Sequence, residues 1–236
     1  MSAQGTQIAT ILPAHEAYAL WASTYDHTPN PLLALEERLL APVLSGFAHR
    51  DIVDLGCGTG RWLERLEALH PRSLAGIDAS PAMLAQAQRK CRNSTSLIHA
   101  SCAATTLPNH SADCVLASFL LSYVPSLSGF AEEIARIVRP GGTFIVSDLH
   151  PDTATYGWRR TFRSAGNLFE IATFPYTFLD LIAAMYAAGF RLEQVDEPCF
   201  GNEEAATFCE QGMLERFHQV QSLPVIYFAH FSRRES

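Results

Sequence analysis

The chain has 236 residues, a net charge of -7, 48% hydrophobic and 17% charged residues, a balance that builds a buried core and leaves little room for long unfolded tails. No run of Lys and Arg is longer than a pair, so the counter-charge that a phosphate backbone requires is missing and nucleic acid is not an expected partner. The opening "MSAQGTQIATILP" lacks the basic start and apolar run of a leader, no stretch of about 18 apolar residues offers a membrane span, and the scattered cysteines form no CxxC pair; a cytoplasmic protein with no membrane partner and no bound metal is expected.

Before Asp51, "HEAYALWASTY" and "PLLALEERLLAPVL" read as helices on either side of the turn-like "DHTPNP". From Asp51 onward, short β-branched runs alternate with helical patterns, as in parallel βαβ units. "DIVDLG" is the first core strand and "GRWLERLEALH" its helix, stopped by Pro71. "SLAGIDA" is the second strand, followed by the helix "SPAMLAQAQRKC" with Ser80 as N-cap and Pro81 in its first turn. "TSLIHAS" and "ADCVLASF" are the third and fourth strands. The helix "LSGFAEEIARIV" ends at "RPGG", which turns the chain into the fifth strand, "TFIVSDL".

After His150 the rhythm breaks into an irregular aromatic stretch, "HPDTATYGWRRTFRSAGNLFEIATFPYT". A helix "FLDLIAAMYAAGF", a strand "RLEQVDE", a helical insertion "GNEEAATFCEQGMLERFHQV" and a last strand "LPVIYFAHFSR" complete the chain. The expectation is a single domain, 1–236: an N-terminal helical cap over 1–48, a cofactor-binding core over 49–150, and substrate-side insertions with sheet completion over 151–236.

"DLGCGTGRW" joins the first strand to its helix, so backbone N–H groups and the positive helix end meet at one spot where glycine lets a ligand approach. Asp78, ending the second strand, stands where ribose hydroxyls are accepted beside such a loop. The dinucleotide spacing GxGxxG would need glycine at position 61, where Arg61 stands, and no Lys-Ser/Thr pair completes a phosphate loop.

"DLGCGTG", the acid in "GIDAS", "TLPNHSADCVLAS" and "RIVRPGGTFIVSD" together resemble, in order and spacing, the class I S-adenosylmethionine-dependent methyltransferases, in particular the type 11 small-molecule group. The resemblance covers roughly residues 15–197. It implies an α/β fold with a Rossmann-like, doubly wound seven-stranded sheet whose last strand is antiparallel, S-adenosyl-L-methionine as cofactor and a small-molecule acceptor as partner. By position, Asp54 and the loop residues Gly56, Cys57, Gly58 and Gly60 would face the methionine part, and Asp78 the ribose. Ser118, Phe119 and Leu120 would lie beneath the sulfonium, and Tyr25 of the "YD" pair Tyr25-Asp26 would reach the cofactor carboxylate. Relatives carry an Asp about four residues before the "LP"; counting back from Leu107 gives Ala103, so adenine is expected on backbone groups of Ala103 and Ala104 with packing from Ala79.

Methyl transfer is an in-line displacement, and a protic acceptor also needs a base. His150, at the end of the fifth strand, is the leading candidate, against the alternative that it caps the strand end. His27 and His218 are weaker candidates, expected at the surface, and His230 in the last strand is expected to point into packing or solvent. The substrate side is expected to include Tyr123 and, from "TATYGWRRTFR", Tyr156, Trp158, Arg159 and Arg163 as an aromatic wall with a cationic clamp for a flat or anionic molecule. Met213, Leu214 and Phe217 at helical spacing suit a lid or core stripe. Thiolate capture of a metalloid would require Cys57, Cys102 and Cys114 to converge. The rival to methyl transfer is a protein that binds S-adenosylmethionine without losing its methyl, as a sensor or scaffold, or that uses the sulfonium electrostatically for another reaction.

Overall fold

The computed structural model describes residues 8–27 and 29–235. The start of the cap, 1–7, and Thr28 in the turn between its helices lie outside the described residues. The cap comprises a short strand β1 (Thr10–Leu12), helix α1 (Ala14–Trp21) and helix α2 (Pro31–Leu44). Helix α2 starts where the Asn30 side chain accepts the Leu32 N–H at 3.0 Å and Pro31 occupies the first turn.

The core then runs β2 (Asp51–Leu55), α3 (Arg61–Glu67), β3 (Ser73–Asp78), α4 (Pro81–Lys90), β4 (Ser96–His99), β5 (Ala112–Ser118), α5 (Leu127–Ile137) and β6 (Val138–Leu149). Later come β7 (Thr161–Ser164), β8 (Asn167–Ile171), α6 (Phe178–Ala187), β9 (Phe190–Asp196), α7 (Asn202–Glu210), α8 (Leu214–Val220) and β10 (Ile226–Arg233). The main sheet has seven strands in the order β4-β3-β2-β5-β6-β10-β9, and β10 is antiparallel to both of its neighbours, as the resemblance implies.

Burial on both faces explains why the central strands are almost wholly apolar. Ile52 pairs with Cys114 and Val53 with Val115. The first pair joins Leu40, Leu44, Trp62 and Leu66 under α2 and α3; the second joins Phe130, Phe144 and Phe231 on the α5 and α6 side. Strand order reverses between β2 and β5, which opens a crevice at their carboxyl ends.

The stretch after His150 is more regular than its sequence suggests. The strands β7 and β8 form an antiparallel hairpin, and β1 adds to β8 in parallel, giving a second sheet in the order β1-β8-β7. The turn uses Ala165 and Gly166, both at positive φ (47° and 81°), without the Asn-Gly or Asp-Gly signature such a turn usually carries. The helical insertion is two helices, α7 and α8, broken at Gly212, where φ is 66°.

Glu36, completely buried on α2, locks the cap to the sheet. Its carboxylate accepts from Arg61 at the start of α3, from Trp62 Nε1 at 3.2 Å, from Ser118 Oγ at the end of β5 at 2.7 Å, and from Ser147 Oγ on β6. Glu36→Ala strands the guanidinium and both hydroxyls at once, and is expected to cost roughly 3–5 kcal/mol in urea unfolding.

Candidate functional site

A cavity of about 500 Å³ occupies the crevice, floored by the loop after β2 and the ends of β3 and β5, and roofed by the cap and the residues after β8. The loop follows from its glycines. Gly56 and Gly58 have φ of 74° and 54°, a region that L side chains rarely enter. Gly56 and Cys57 donate their N–H groups to Ile77 O at 2.7 and 3.0 Å, which ties the loop to the end of β3. A Cβ on Gly58 would meet nothing within 4 Å, so the backbone there is open to a ligand.

Asp78 is pre-oriented by that backbone: its two carboxylate oxygens accept the N–H groups of Gly58 and Ser80, each at 2.8 Å. Burial nevertheless raises its carboxyl above the ordinary value, because two N–H groups replace a hydration shell incompletely. Asp54, 1% exposed, is pushed up to about 7 by burial, with Arg61 opposing the shift and Glu36 and Asp78 adding to it. Its Oδ1 is buried without a partner, and so is Nη1 of Arg61. An orphaned acceptor and an orphaned donor in one cavity wall fit the ammonium and carboxylate of an amino acid, while Asp78 beside the loop fits a pair of hydroxyls.

The cavity brings together Tyr25, Asp54, Gly56, Cys57, Gly58, Asp78, Ala79, Ser118, Phe119, Leu120 and Tyr123 of the expected residues. Asp26, next to Tyr25, is a latch: it accepts from Thr59 Oγ1 at 2.7 Å and pairs with Lys90 at 2.5 Å. Gly60 packs instead of lining the wall, since a Cβ there would lie 3.1 Å from Ala87 and 3.2 Å from the Cys91 sulfur. Ala103 and Ala104 are not in the wall either. Their N–H groups turn back onto Ser101, to Oγ at 3.2 Å and to the carbonyl at 3.0 Å, and Ser101 and Cys102 face the cavity in their place.

His150 does not reach the cavity. Its Nδ1 accepts the Asp152 N–H at 3.2 Å, so Nε2 carries the proton toward Glu197 at 2.8 Å; the ring caps the turn after β6. Tyr156, Trp158, Arg159 and Arg163 also lie outside the lining. Trp158 stacks on Phe200 and Arg159 faces Glu170 at 3.7 Å. In the lid stripe Phe217 is buried against Phe208, while Met213 and Leu214 are exposed. Cys114 is buried in the sheet, and burial pushes the Cys102 thiol up to about 11, so thiolate capture finds no support. Among the described residues no three His, Cys, Asp or Glu side chains come together as a metal requires.

Sequence reasoning overlooked Arg61, Tyr18, Arg160 and His15. Tyr18 and His15 line the cavity from α1, three residues apart on one helix face, yet no motif marks them. Arg160 lies behind the wall, its guanidinium 5.2 Å from the Phe119 ring centroid and 5.3 Å from that of Tyr123, paired with Asp148.

Residues 53–146 match the family described as a methyltransferase domain. The demethylmenaquinone methyltransferase of Tropheryma whipplei is 31% identical over 136 residues, which cover 55% of this chain and 56% of that protein, so the match spans little more than half of that relative's length. An S-adenosylmethionine-dependent methyltransferase from Mesorhizobium loti superposes with a TM-score of 0.64 at 22% identity, over 81% of this chain and 96% of that one. The [4+2]-cyclase SpnF superposes with a TM-score of 0.67 at 15% identity, over 98% of this chain and 100% of that one. These two likenesses show the fold. S-adenosylmethionine is the cofactor of the family, and the orphaned atoms of Asp54 and Arg61, the open loop at Gly58 and the carboxylate of Asp78 fit its amino-acid and ribose parts.

Asp78→Ala is expected to weaken S-adenosylhomocysteine binding by more than about tenfold by calorimetry, the effect of a lost charge-assisted pair. Asp54 adds a pH dependence. Between its ordinary 3.8 and about 7 the folded chain holds a proton that the unfolded chain has released, so stability falls as pH rises through that window. Asp54→Asn is therefore expected to raise stability by more than about 1 kcal/mol at pH 8 and not at pH 4, while binding S-adenosylhomocysteine more weakly at pH 8.

Proposed function

We propose that the chain transfers the methyl group of S-adenosylmethionine to a small-molecule acceptor. The observation that carries this reading is the pair of unpartnered buried atoms, Asp54 Oδ1 and Arg61 Nη1, in a cavity that continues past the end of β5 toward Tyr18, Tyr123 and Phe174. When bound, the cofactor supplies an electrophilic methyl on a sulfonium.

The chain's own residues do the rest. Asp54 and Arg61 hold the amino-acid end, Asp78 holds the ribose, and the backbone after β5 presents the methyl to the space beyond. Phe119, at a positive φ of 50°, is held there by its N–H bond to Ser147 O at 2.8 Å. Alignment in a cavity with a mostly apolar lining is the chain's main contribution, since in-line displacement needs no covalent intermediate. No helix among the described residues is long and apolar enough to cross a membrane, and the six free thiols suit a reducing cytoplasm.

A second reading, binding without methyl loss, is favoured by the turn over residues 101–104, which holds no carboxylate for an adenine amino group. Incubation with methyl-labelled S-adenosylmethionine and pooled small acceptors separates the two. Micromolar binding of S-adenosylmethionine with acceptor-dependent release of S-adenosylhomocysteine is expected. Retention of the label in the presence of acceptors that demonstrably bind would leave the second reading in place.

A further inference from the structure

Past the cofactor end, the cavity wall changes character. It is built from Ile11, Leu12 and Pro13 in the cap, Pro125 after β5, Phe174 after β8, and the rings of Tyr18 and Tyr123. Among the described lining residues the sole Lys or Arg is Arg61, which is bound to Glu36 and shifts Asp54 at the opposite end. The next cation, Arg160, lies behind the Phe119 and Tyr123 rings and is neutralised by Asp148. A carboxylate or phosphate on an acceptor seated here would lose water without gaining a counter-ion, a desolvation that apolar contacts do not offset.

Besides His15, whose side chain is 68% exposed to solvent, the polar groups of this wall are two neutral hydroxyls. Tyr18 donates to the Tyr123 oxygen at 3.0 Å, which leaves the Tyr123 proton free to donate to a ligand and the Tyr18 oxygen free to accept. Burial pushes Tyr123 up to about 12 and raises Tyr18 well above its ordinary value, so both stay protonated at neutral pH.

Building on the methyl-transfer reading, we propose that the acceptor is an uncharged aromatic molecule bearing a hydroxyl, its ring against Phe174 and Pro125 and its hydroxyl on the Tyr18–Tyr123 pair. A lone pair on the acceptor oxygen forms the new O–C bond while the C–S bond breaks and leaves its electrons on sulfur as a neutral thioether. The hydroxyl proton is released to water, which reaches the wall beside His15, whose side chain is 68% exposed.

The test is calorimetric titration of the full chain, saturated with S-adenosylhomocysteine, using 4-ethylphenol, 4-ethylbenzoate and ethylbenzene. 4-Ethylphenol is expected to bind at least about tenfold more tightly than either of the others, the discrimination of a site built to hydrogen-bond a hydroxyl. In a variant carrying both Tyr18→Phe and Tyr123→Phe, whose S-adenosylhomocysteine affinity reports that it is folded, the advantage over ethylbenzene should vanish. The proposal is overturned if 4-ethylbenzoate binds as well as the phenol, if the double variant keeps the preference, or if none of the three binds to the saturated protein. Failure of S-adenosylhomocysteine itself to bind is visible before any acceptor is added, and would instead sink the methyl-transfer reading.

Discussion

Taking a carboxylate out of water costs several kcal/mol unless its oxygens find strong donors, and Glu36 finds them in Arg61, Trp62, Ser118 and Ser147. The four donors sit where three elements begin or end: Arg61 and Trp62 at the start of α3, and Ser118 and Ser147 at the carboxyl ends of β5 and β6. Cap position and site geometry are therefore one constraint. If α2 were displaced, Arg61 would lose the partner that fixes its guanidinium, and with it the orientation of the Nη1 group left for a ligand. The same contact fixes Ser118, next to Phe119, whose strained backbone shapes the floor of the cavity beyond the loop.

The acceptor side depends on packing across three separate stretches of chain. Trp21 stacks on Phe162 with centroids 4.9 Å apart, Phe162 on Phe169 at 5.3 Å, and Tyr18 meets Tyr123 edge-on at 5.4 Å. These rings join α1, the β7–β8 hairpin and the turn after β5. Arg160 fills the space behind them, and its pair with Asp148 removes the net charge that a buried guanidinium would otherwise impose on the wall. A segment rich in arginine thereby produces an uncharged surface.

Local patterns are enough to read the βαβ core, the glycine loop and Asp78, because each is set by residues close in sequence or by a single period, while the antiparallel direction of the closing strand is implied by the family resemblance. The second sheet was not legible: Thr10 pairs with Phe169, and nothing in "TIL" announces so distant a partner. Nor does spacing decide which arginine of "GWRRTFR" turns inward. Asp148 selects Arg160, while Arg159 and Arg163, the expected clamp, lie outside the cavity lining. His150 was placed correctly at the end of its strand, but the position of a Cα does not say where the ring points, and the backbone N–H of Asp152 together with Glu197 hold it away from the cavity. Counting back from Leu107 points to Ala103 for the adenine, whereas the turn closed by Ser101 puts Ser101 and Cys102, and not Ala103, in the cavity wall.

The two ends of the cavity differ in what they leave unmade. At the loop end, the Asp54 acceptor and the Arg61 donor are buried and unpaired, a state that costs free energy until a zwitterion completes it. At the far end, the two buried hydroxyls pair with each other, Tyr18 with Tyr123, and Arg160 behind them pairs with Asp148. On the proposed reading, charge compensation is available to the cofactor and not to the acceptor, which would gain affinity from apolar area and one hydroxyl contact. Because the cap roofs both ends and is held by Glu36 and by the Asp26–Lys90 latch, filling the loop end also consolidates the wall against which the acceptor is aligned.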